Sequence, residues 1–405
     1  MTTRRTFLST LAAPAVVRAQ PALRHLTVFR DRNRYVLGPS VRVNREGEWL
    51  VAFNLGVMRE AGKYSPRNYM HPPHDPEYRN VITRSRDRGE TWDAVRVFPG
   101  YEWSGVENPG LTLLANGDLL ASVYQRKFYP LESGLNMKGL LGVVRKDPYP
   151  WIVAHGGTHV HRSRDGGRTW GESVEVSTKP YISGYSPRGP VELSNGKVLL
   201  PLAAADPFYL EYFRERKLEG PPMGNEFDAA GRIQPGRSAA FVSISRDGGR
   251  TWKETREIAR DPDVDFYETA LVRLASGRLV SHMRTGTRGG FHLYQVTSDD
   301  HGETWSKPWK TPIWGFPADL VQLRDGRLLT VYGHRRQPFG IRACISRDEG
   351  RTWDIDREII LRDDLHSSNL GYPTAIALED GSVFTVYWGE DAEFVTTIQA
   401  TYFRP

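Results

Sequence analysis

Cysteine is almost absent from this sequence of 405 residues, which holds one, Cys344. A single cysteine cannot form an intrachain disulfide, so packing alone must stabilise the fold. Cys344 lies in the apolar run from Ile341 to Ile345, which predicts a buried and inert thiol. Apolar runs long enough to cross a bilayer are absent too. These absences exclude a disulfide scaffold and a membrane bundle.

Blocks of like charge are also missing. The 54 Lys+Arg and 48 Asp+Glu residues give a net charge of +6, but they are scattered along the chain. No block of five like charges occurs, so we expect no nucleic-acid partner. Glycine, proline and tryptophan are plentiful instead, with 39, 27 and 11 residues. They indicate many turns and large aromatic rings packed between sheets.

The N-terminus has the features of an export signal. Arg4 and Arg5 precede a short apolar stretch from Leu8 to Val17, and the sequence then suits cleavage after Ala19. This pattern is typical of a twin-arginine signal, which carries folded proteins across a membrane. We therefore expect a removed segment over residues 1–20 and a periplasmic or secreted protein over residues 21–405.

One motif, S-x-D-x-G-x-T-W, recurs five times. In each copy the aspartate can accept hydrogen bonds from backbone N–H groups just after it, and the glycine suits a positive φ. The tryptophan then begins the return strand as a large packing residue. The five copies run from Ser85 to Trp92, Ser163 to Trp170, Ser245 to Trp252, Ser298 to Trp305 and Ser346 to Trp353.

A second hairpin signal recurs six times as two apolar runs joined by a turn that ends in glycine. Asn-Gly and Asp-Gly are strong signals for a tight hairpin, and several copies contain one of them. The six glycines are Gly47, Gly117, Gly196, Gly277, Gly326 and Gly381.

The two hairpin series alternate along the chain, which predicts the fold. One hairpin of each kind makes a four-stranded unit, and six such units make an all-β, six-bladed β-propeller. The last unit, after Gly381, lacks the aspartate motif but keeps a strand pattern from Phe394 to Phe403. The segment from Leu23 to Phe29 can supply the outer strand that closes the ring. We therefore expect a single domain over residues 21–405.

Blade topology separates structural turns from functional loops. Both hairpin series lie at one end of each blade, so we expect the site at the other end, on the second-to-third-strand loops and the starts of first strands. Glu107 and Arg188 occupy equivalent positions there in blades two and three, and we expect them to contact ligand or one another.

The repeated motifs are the Asp boxes of the sialidase superfamily, which the chain resembles from about residue 24 onward. The segment from Glu268 to Arg284 resembles the stretch that begins with the catalytic glutamate and ends with a substrate-binding arginine. Gly371-Tyr372-Pro373 resembles the segment with the tyrosine nucleophile. The resemblance also implies that Asp75 is the acid/base residue.

The resemblance further implies a third arginine in blade five. Arg342 is the candidate for it, and Arg335 or Arg336 could take its place. Together these residues imply a retaining exo-glycosidase that acts on a terminal acidic sugar. A tyrosine nucleophile suits such a sugar because a carboxylate nucleophile would be repelled by the substrate's own carboxylate. The arginines would hold that carboxylate.

Two positions depart from the family pattern. Leu37 stands where sialidases have the first of three arginines, and Trp388 stands where that arginine's glutamate partner is found. A buried charge without its partner is costly, so a coupled loss of both predicts a remodelled pocket.

Three alternatives therefore stay open. The substrate can be a sialoside or another glycan, uronic or neutral, or the protein can be a non-catalytic glycan-binding propeller. His71, His74 and Asp75 could also bind a metal, although their spacing is not diagnostic. We expect a glycan as the partner, no cofactor and no stable membrane insertion.

Overall fold

The computed structural model describes residues 23–58, 75–98, 104–134, 151–171, 173–205 and 238–405. The export signal predicted over residues 1–20 lies outside them. Within these ranges the chain forms six antiparallel sheets, which confirms the six-bladed propeller. Two short 3-10 turns in the described ranges, at residues 131–133 and 355–357, lie between strands. No helix in the described ranges has the length and apolar character that a membrane span requires.

The first three blades follow one another along the chain. Blade one contains β2 (Arg34–Val43), β3 (Trp49–Val57), β4 (Arg79–Ser85) and β5 (Arg96–Val97). Blade two contains β6 (Ser104–Leu113), β7 (Leu119–Pro130), β8 (Trp151–Ser163) and β9 (Val174–Glu175). Blade three has its inner strand in two pieces, β10 (Ile182–Tyr185) and β11 (Val191–Glu192), followed by β12 (Val198–Ala205), β13 (Ser238–Ser245) and β14 (Glu254–Ala259).

The remaining blades complete the ring. Blade four contains β15 (Tyr267–Arg273), β16 (Leu279–Arg284), β17 (His292–Ser298) and β18 (Trp309–Trp314). Blade five contains β19 (Ala318–Gln322), β20 (Leu328–His334), β21 (Gly340–Ser346) and β22 (Ile359–Arg362). Blade six contains β23 (Leu370–Ala377), β24 (Val383–Glu390), β25 (Thr396–Phe403) and, as its outer strand, β1 (Arg24–Arg30).

The N-terminal strand closes the ring, as the sequence predicts. β1 pairs antiparallel with β25, so the last blade is made from both ends of the chain. Apolar packing follows the same plan, because the described residues form six buried clusters, one between each pair of neighbouring blades. In the cluster between blades six and one, Phe53 and Trp388 are both buried. Cys344 is buried between blades four and five, which fits an inert thiol.

All five Asp boxes adopt one hydrogen-bonded turn. In the third box, Ser245 Oγ and the Thr251 amide donate to Asp247 Oδ1 over 2.7 and 2.9 Å. Thr251 Oγ1 donates to Oδ2 over 2.7 Å, and the Gly249 amide donates to Ser245 Oγ over 2.8 Å. Equivalent bonds occur in the other four boxes. The motifs are therefore structural turns between third and fourth strands.

Candidate active site

A β-bulge at the same place in four inner strands positions the candidate residues. In each of these strands the pairing register shifts over the bulge. The bulge residue has a positive φ, which residues other than glycine rarely adopt. These residues are Gly38 (φ 59°), Asn108 (φ 45°), Glu268 (φ 23°) and Tyr372 (φ 49°). Bulges redirect side chains, and backbone strain of this kind is concentrated at functional sites.

Two of the bulge residues, from blades four and six, are in direct contact. The Tyr372 hydroxyl donates a hydrogen bond to Glu268 Oε1. Both residues are buried, with 8% and 7% of their surface exposed. The structure therefore brings together the two residues for which the resemblance implies the roles of nucleophile and base.

The surroundings keep this pair in a defined protonation state. Burial would raise the pKa of Glu268, but the charge of Arg284 and the hydrogen bonds from Tyr372 and Arg284 outweigh it and lower that pKa. Burial, followed by the charge of Glu268, raises the pKa of Tyr372 well above its ordinary value. The resting pair is thus a phenol donating to a carboxylate, which is the arrangement needed before proton transfer.

Arg284 at the end of β16 holds the other side of the carboxylate. Its Nη1 atom donates to Glu268 Oε1 and Oε2 over 2.9 and 2.6 Å. Its guanidinium carbon lies 4.4 Å from the centroid of the Phe316 ring. Glu268 is therefore fixed between a tyrosine and an arginine.

Arg335, just after β20, is the blade-five arginine beside the pair. Its guanidinium carbon lies 5.1 Å from the Phe316 ring centroid and 5.9 Å from that of Tyr372. Burial and the nearby charge of Arg284 lower the pKa of Arg335 to about 10. At neutral pH Arg335 is still a cation, and a negatively charged group beside it would stabilise it.

Arg188 reaches the same region from the gap between β10 and β11. Its Nε and Nη2 atoms donate to the Ala318 carbonyl over 3.0 and 2.7 Å. Asp319 lies 3.8 Å away and accepts a hydrogen bond from the Ala375 amide over 3.1 Å. The arginine thus bridges blades three and five.

The three arginines outnumber the carboxylates beside them. Arg188, Arg284 and Arg335 face only Glu268 and Asp319 in the interactions described above. Each also has one buried N–H group that finds no acceptor in the described part of the chain: Arg188 Nη1, Arg284 Nε and Arg335 Nε. Such groups call for an anionic acceptor.

The expectation for Arg342 needs correction. Arg342 lies on β21, where Nη1 donates to the Arg362 carbonyl and Nε lies 3.6 Å from Glu358. These contacts tie β21 to β22 and to Glu358 just before it, so Arg335 is the blade-five arginine beside the Tyr372–Glu268 pair. Arg336, the other alternative, lies on the rim, where its guanidinium carbon is 4.2 Å from the Trp314 ring centroid.

Asp75 is buried just before β4, with 1% of its surface exposed. Its Oδ1 atom accepts a hydrogen bond from the Glu77 amide over 2.8 Å, which makes a local turn. His71 and His74 lie outside the described residues. Glu107 lies in β6 opposite Tyr124, and its side chain lies outside the described part of the structure.

The two departures from the family pattern occupy one apolar cluster. Trp388 is buried against Tyr35, with ring centroids 6.0 Å apart, and Leu37 packs against the same cluster. Apolar contacts therefore occupy the place where the family pattern has an arginine and its glutamate. Glu390 lies beyond them and accepts hydrogen bonds from Ser367 and Asn369 over 2.5 and 2.6 Å.

Sequence reasoning missed Asn108 and selected its neighbour Glu107. A signal was available, since Gly38, Asn108, Glu268 and Tyr372 all stand at the same distance before their blade's hairpin glycine. Three of the four are also followed by proline.

The Asp boxes, the six blades and the buried Tyr–Glu pair among arginines define a sialidase-like β-propeller. The chain belongs to the BNR repeat-like domain family within this superfamily, because that family's model matches residues 140–385.

Named relatives agree with this assignment. The sialidase of Micromonospora viridifaciens is 28% identical over 281 residues, which cover 65% of this chain and 37% of that protein. The match thus spans little more than a third of the curated relative. A crystal structure of a protein of unknown function from Dyadobacter fermentans DSM 18053 has a TM-score of 0.77 at 25% identity, covering 94% of this chain and 99% of that chain.

The same fold occurs with another sugar specificity. The α-L-arabinanase of Penicillium chrysogenum, solved with arabinobiose, has a TM-score of 0.60 at 14% identity and covers 94% of this chain and 98% of that chain. At this identity the likeness shows the fold alone. Sialidases and arabinanases are glycoside hydrolases, so this chain shares its fold with glycosidases.

Proposed function

We propose that the protein is a retaining exo-glycosidase that acts on a terminal sugar carrying an acidic group. The observation that carries this proposal is the buried hydrogen bond from Tyr372 to Glu268. Within a site lined by arginines, such a tyrosine can act as the nucleophile and the carboxylate as its base.

The reaction has two balanced steps. In the first, Tyr372 Oη attacks the anomeric carbon while its proton passes to Glu268, and the glycosidic oxygen leaves with a proton from Asp75. In the second, water attacks the anomeric carbon and gives a proton to Asp75, and the released Tyr372 oxygen regains its proton from Glu268. Two inversions at one carbon give net retention.

The surplus of arginines supports an acidic group on the sugar. Arg188, Arg284 and Arg335 each have one buried N–H group that finds no acceptor among the described residues. A carboxylate on the sugar would supply acceptors and balance the charge. The absence of an arginine at Leu37 leaves both sialosides and uronides as acidic candidates.

Turnover of three methylumbelliferyl glycosides tests the proposal: an α-N-acetylneuraminide, a β-glucuronide and an α-L-arabinofuranoside as the neutral sugar. We expect release from an acidic glycoside and none from the neutral one. Glu268→Gln should lower kcat by about 10²–10⁴-fold because the base is lost, and Tyr372→Phe should abolish turnover.

Tyr181 provides a matched control, because its hydroxyl donates to Glu257 Oε2 over 2.6 Å in blade three. Tyr181→Phe removes a tyrosine–glutamate hydrogen bond of the same kind outside the site and should leave kcat unchanged. Hydrolysis of the neutral glycoside alone would refute the acidic-sugar assignment. Folded protein inactive on all three would favour a glycan-binding propeller.

Export is also part of the proposal. The twin-arginine pattern at Arg4 and Arg5 supports a periplasmic or secreted location. Extracellular glycans would then be the accessible substrates.

A further inference from the structure

Three buried asparagines lie in blades one and two. Asn54, Asn80 and Asn108 are each at most 1% exposed. The Asn54 amide donates to Asn80 Oδ1, and Asn54 Oδ1 accepts from the backbone N–H of Asn108 over 2.8 Å. The three residues therefore form one connected group.

Three polar atoms of this group lack a partner. Asn108 Nδ2, Asn108 Oδ1 and Asn80 Nδ2 are buried and make no hydrogen bond within the described part of the chain. An unpaired buried amide is costly, and folded proteins contain few of them. The Asn108 side chain thus reduces stability unless something else binds it.

Gly38 makes the space in which the Asn108 amide lies. A Cβ atom at Gly38 would lie 1.9 Å from Asn108 Oδ1, which no side chain could tolerate. Gly38 also has a φ of 59°, so glycine suits both the backbone and the neighbour. Blade one therefore leaves its bulge position empty, and blade two fills the space with an amide.

The location is next to the catalytic pair. Asn108 and Tyr372 occupy the same bulge position, in blades two and six, on either side of blade one. β2 contacts both β6 and β23, so the two bulge residues flank Gly38. Neutral amides thus lie in blades one and two, and the arginines lie on blades three to five.

From this arrangement we infer that Asn108, with Asn80, forms a subsite that binds hydroxyl groups of the sugar ring. This inference rests on the proposed function, because it assigns the uncharged part of the same substrate. An amide offers one donor group and one acceptor, and a hydroxyl can satisfy both. The acidic group would lie on the arginines, and the hydroxyl-bearing edge of the ring would lie on the amides.

The test is Asn108→Gly, since glycine tolerates the positive φ and removes the side chain that carries the amide. Binding is measured by calorimetry in the Tyr372→Phe background, which needs no turnover. The probes are N-acetylneuraminate, glucuronate and tetrahydropyran carboxylate, an acid with the ring oxygen but no hydroxyl groups. We expect affinity for the bound sugar acid to fall about tenfold, the effect of one or two lost hydrogen bonds. Binding of tetrahydropyran carboxylate should not change.

Thermal unfolding separates a binding role from a structural one. Because the Asn108 side-chain amide makes no hydrogen bond to the described residues, Asn108→Gly should have a Tm no lower than that of the wild type. A lower Tm would make Asn108 structural and overturn the inference. Unchanged affinity for the sugar acid, or equal losses for sugar acid and tetrahydropyran carboxylate, would also overturn it.

The outcomes distinguish this inference from the proposed function. Binding of a sugar acid that depends on Asn108, without turnover by the wild type, would keep the subsite and refute the glycosidase. Turnover that Asn108→Gly leaves unchanged would keep the glycosidase and refute the subsite. Failure of both sugar acids to bind the protein with Asn108 intact would contradict the subsite.

Discussion

Glu268 owes its properties to two neighbours and a strained backbone. Burial disfavours the negative charge of Glu268, whereas Arg284 and Tyr372 stabilise that charge. The backbone of Glu268 has a positive φ of 23°, which is unfavourable for glutamate. This conformation directs its side chain toward Tyr372 and Arg284. Removing either neighbour should therefore change how Glu268 titrates.

Arg284→Gln tests this electrostatic balance through the pH profile. The low pKa of Glu268 keeps the base ionised in acid, so the acid limb of kcat/KM should lie below the ordinary carboxyl range. Without the cation, burial dominates and raises the pKa of Glu268, so the base becomes protonated at higher pH. We expect the acid limb to move upward by about one pH unit or more, measured on whichever glycoside is turned over.

Arg336→Gln is the matched control, because Arg336 is an exposed arginine on the rim against Trp314. It should leave the acid limb unchanged. A profile that falls uniformly in Arg284→Gln, with no shift of the limb, would mean that Arg284 does not control the base.

At the scale of the element, the Asp box is a turn built around one carboxylate. Burial would raise the pKa of Asp247, but hydrogen bonds from Ser245 and Thr251 outweigh it and lower that pKa to about 2. A carboxyl whose pKa is depressed by folding stabilises the protein above its unfolded pKa. That stabilisation is lost as the pH falls through the folded value.

Asp247→Asn should therefore destabilise the protein at neutral pH and matter little in strong acid. We expect a loss of about 1 kcal/mol in the free energy of unfolding at neutral pH, because several hydrogen bonds weaken. The difference from wild type should shrink as the pH approaches 2. Urea unfolding over this pH range measures both quantities.

Asp363→Asn provides the comparison, as Asp363 is an exposed aspartate outside the motif. The free energy of unfolding of Asp363→Asn should vary with pH as that of the wild type does. A difference for Asp247→Asn that stays constant down to strong acid would show that ionisation of this carboxyl is not what stabilises the turn.

The elements also show how far the sequence could predict the site. Tyr372, Glu268 and Arg284 could be predicted because the segments that contain them resemble the catalytic segments of sialidases. The choice among Arg335, Arg336 and Arg342 could not be made, because it depends on how the chain turns between β20 and β21. In the structure Arg342, on β21, instead pairs with Glu358, the residue just before β22.

At the scale of the molecule, ring closure creates the site. Glu268 and Tyr372 are 104 residues apart, and only the circular arrangement of blades four to six brings them together. The repeats predicted this ring, including closure by β1. Pairing of Arg188 with blade five could not be predicted, since no pattern in the sequence records contacts across a ring.

In the proposed function, the whole molecule is a frame that positions one tyrosine for covalent chemistry. Its nucleophilic role is the central claim, and a trapped intermediate tests it most directly. The protein is incubated with a fluorosugar fluoride of the sugar that it hydrolyses, digested, and analysed by mass spectrometry. The account predicts one glycosyl group on the peptide containing Tyr372, and none in Tyr372→Phe. A label on another residue, or turnover with inverted configuration and no label, would contradict it.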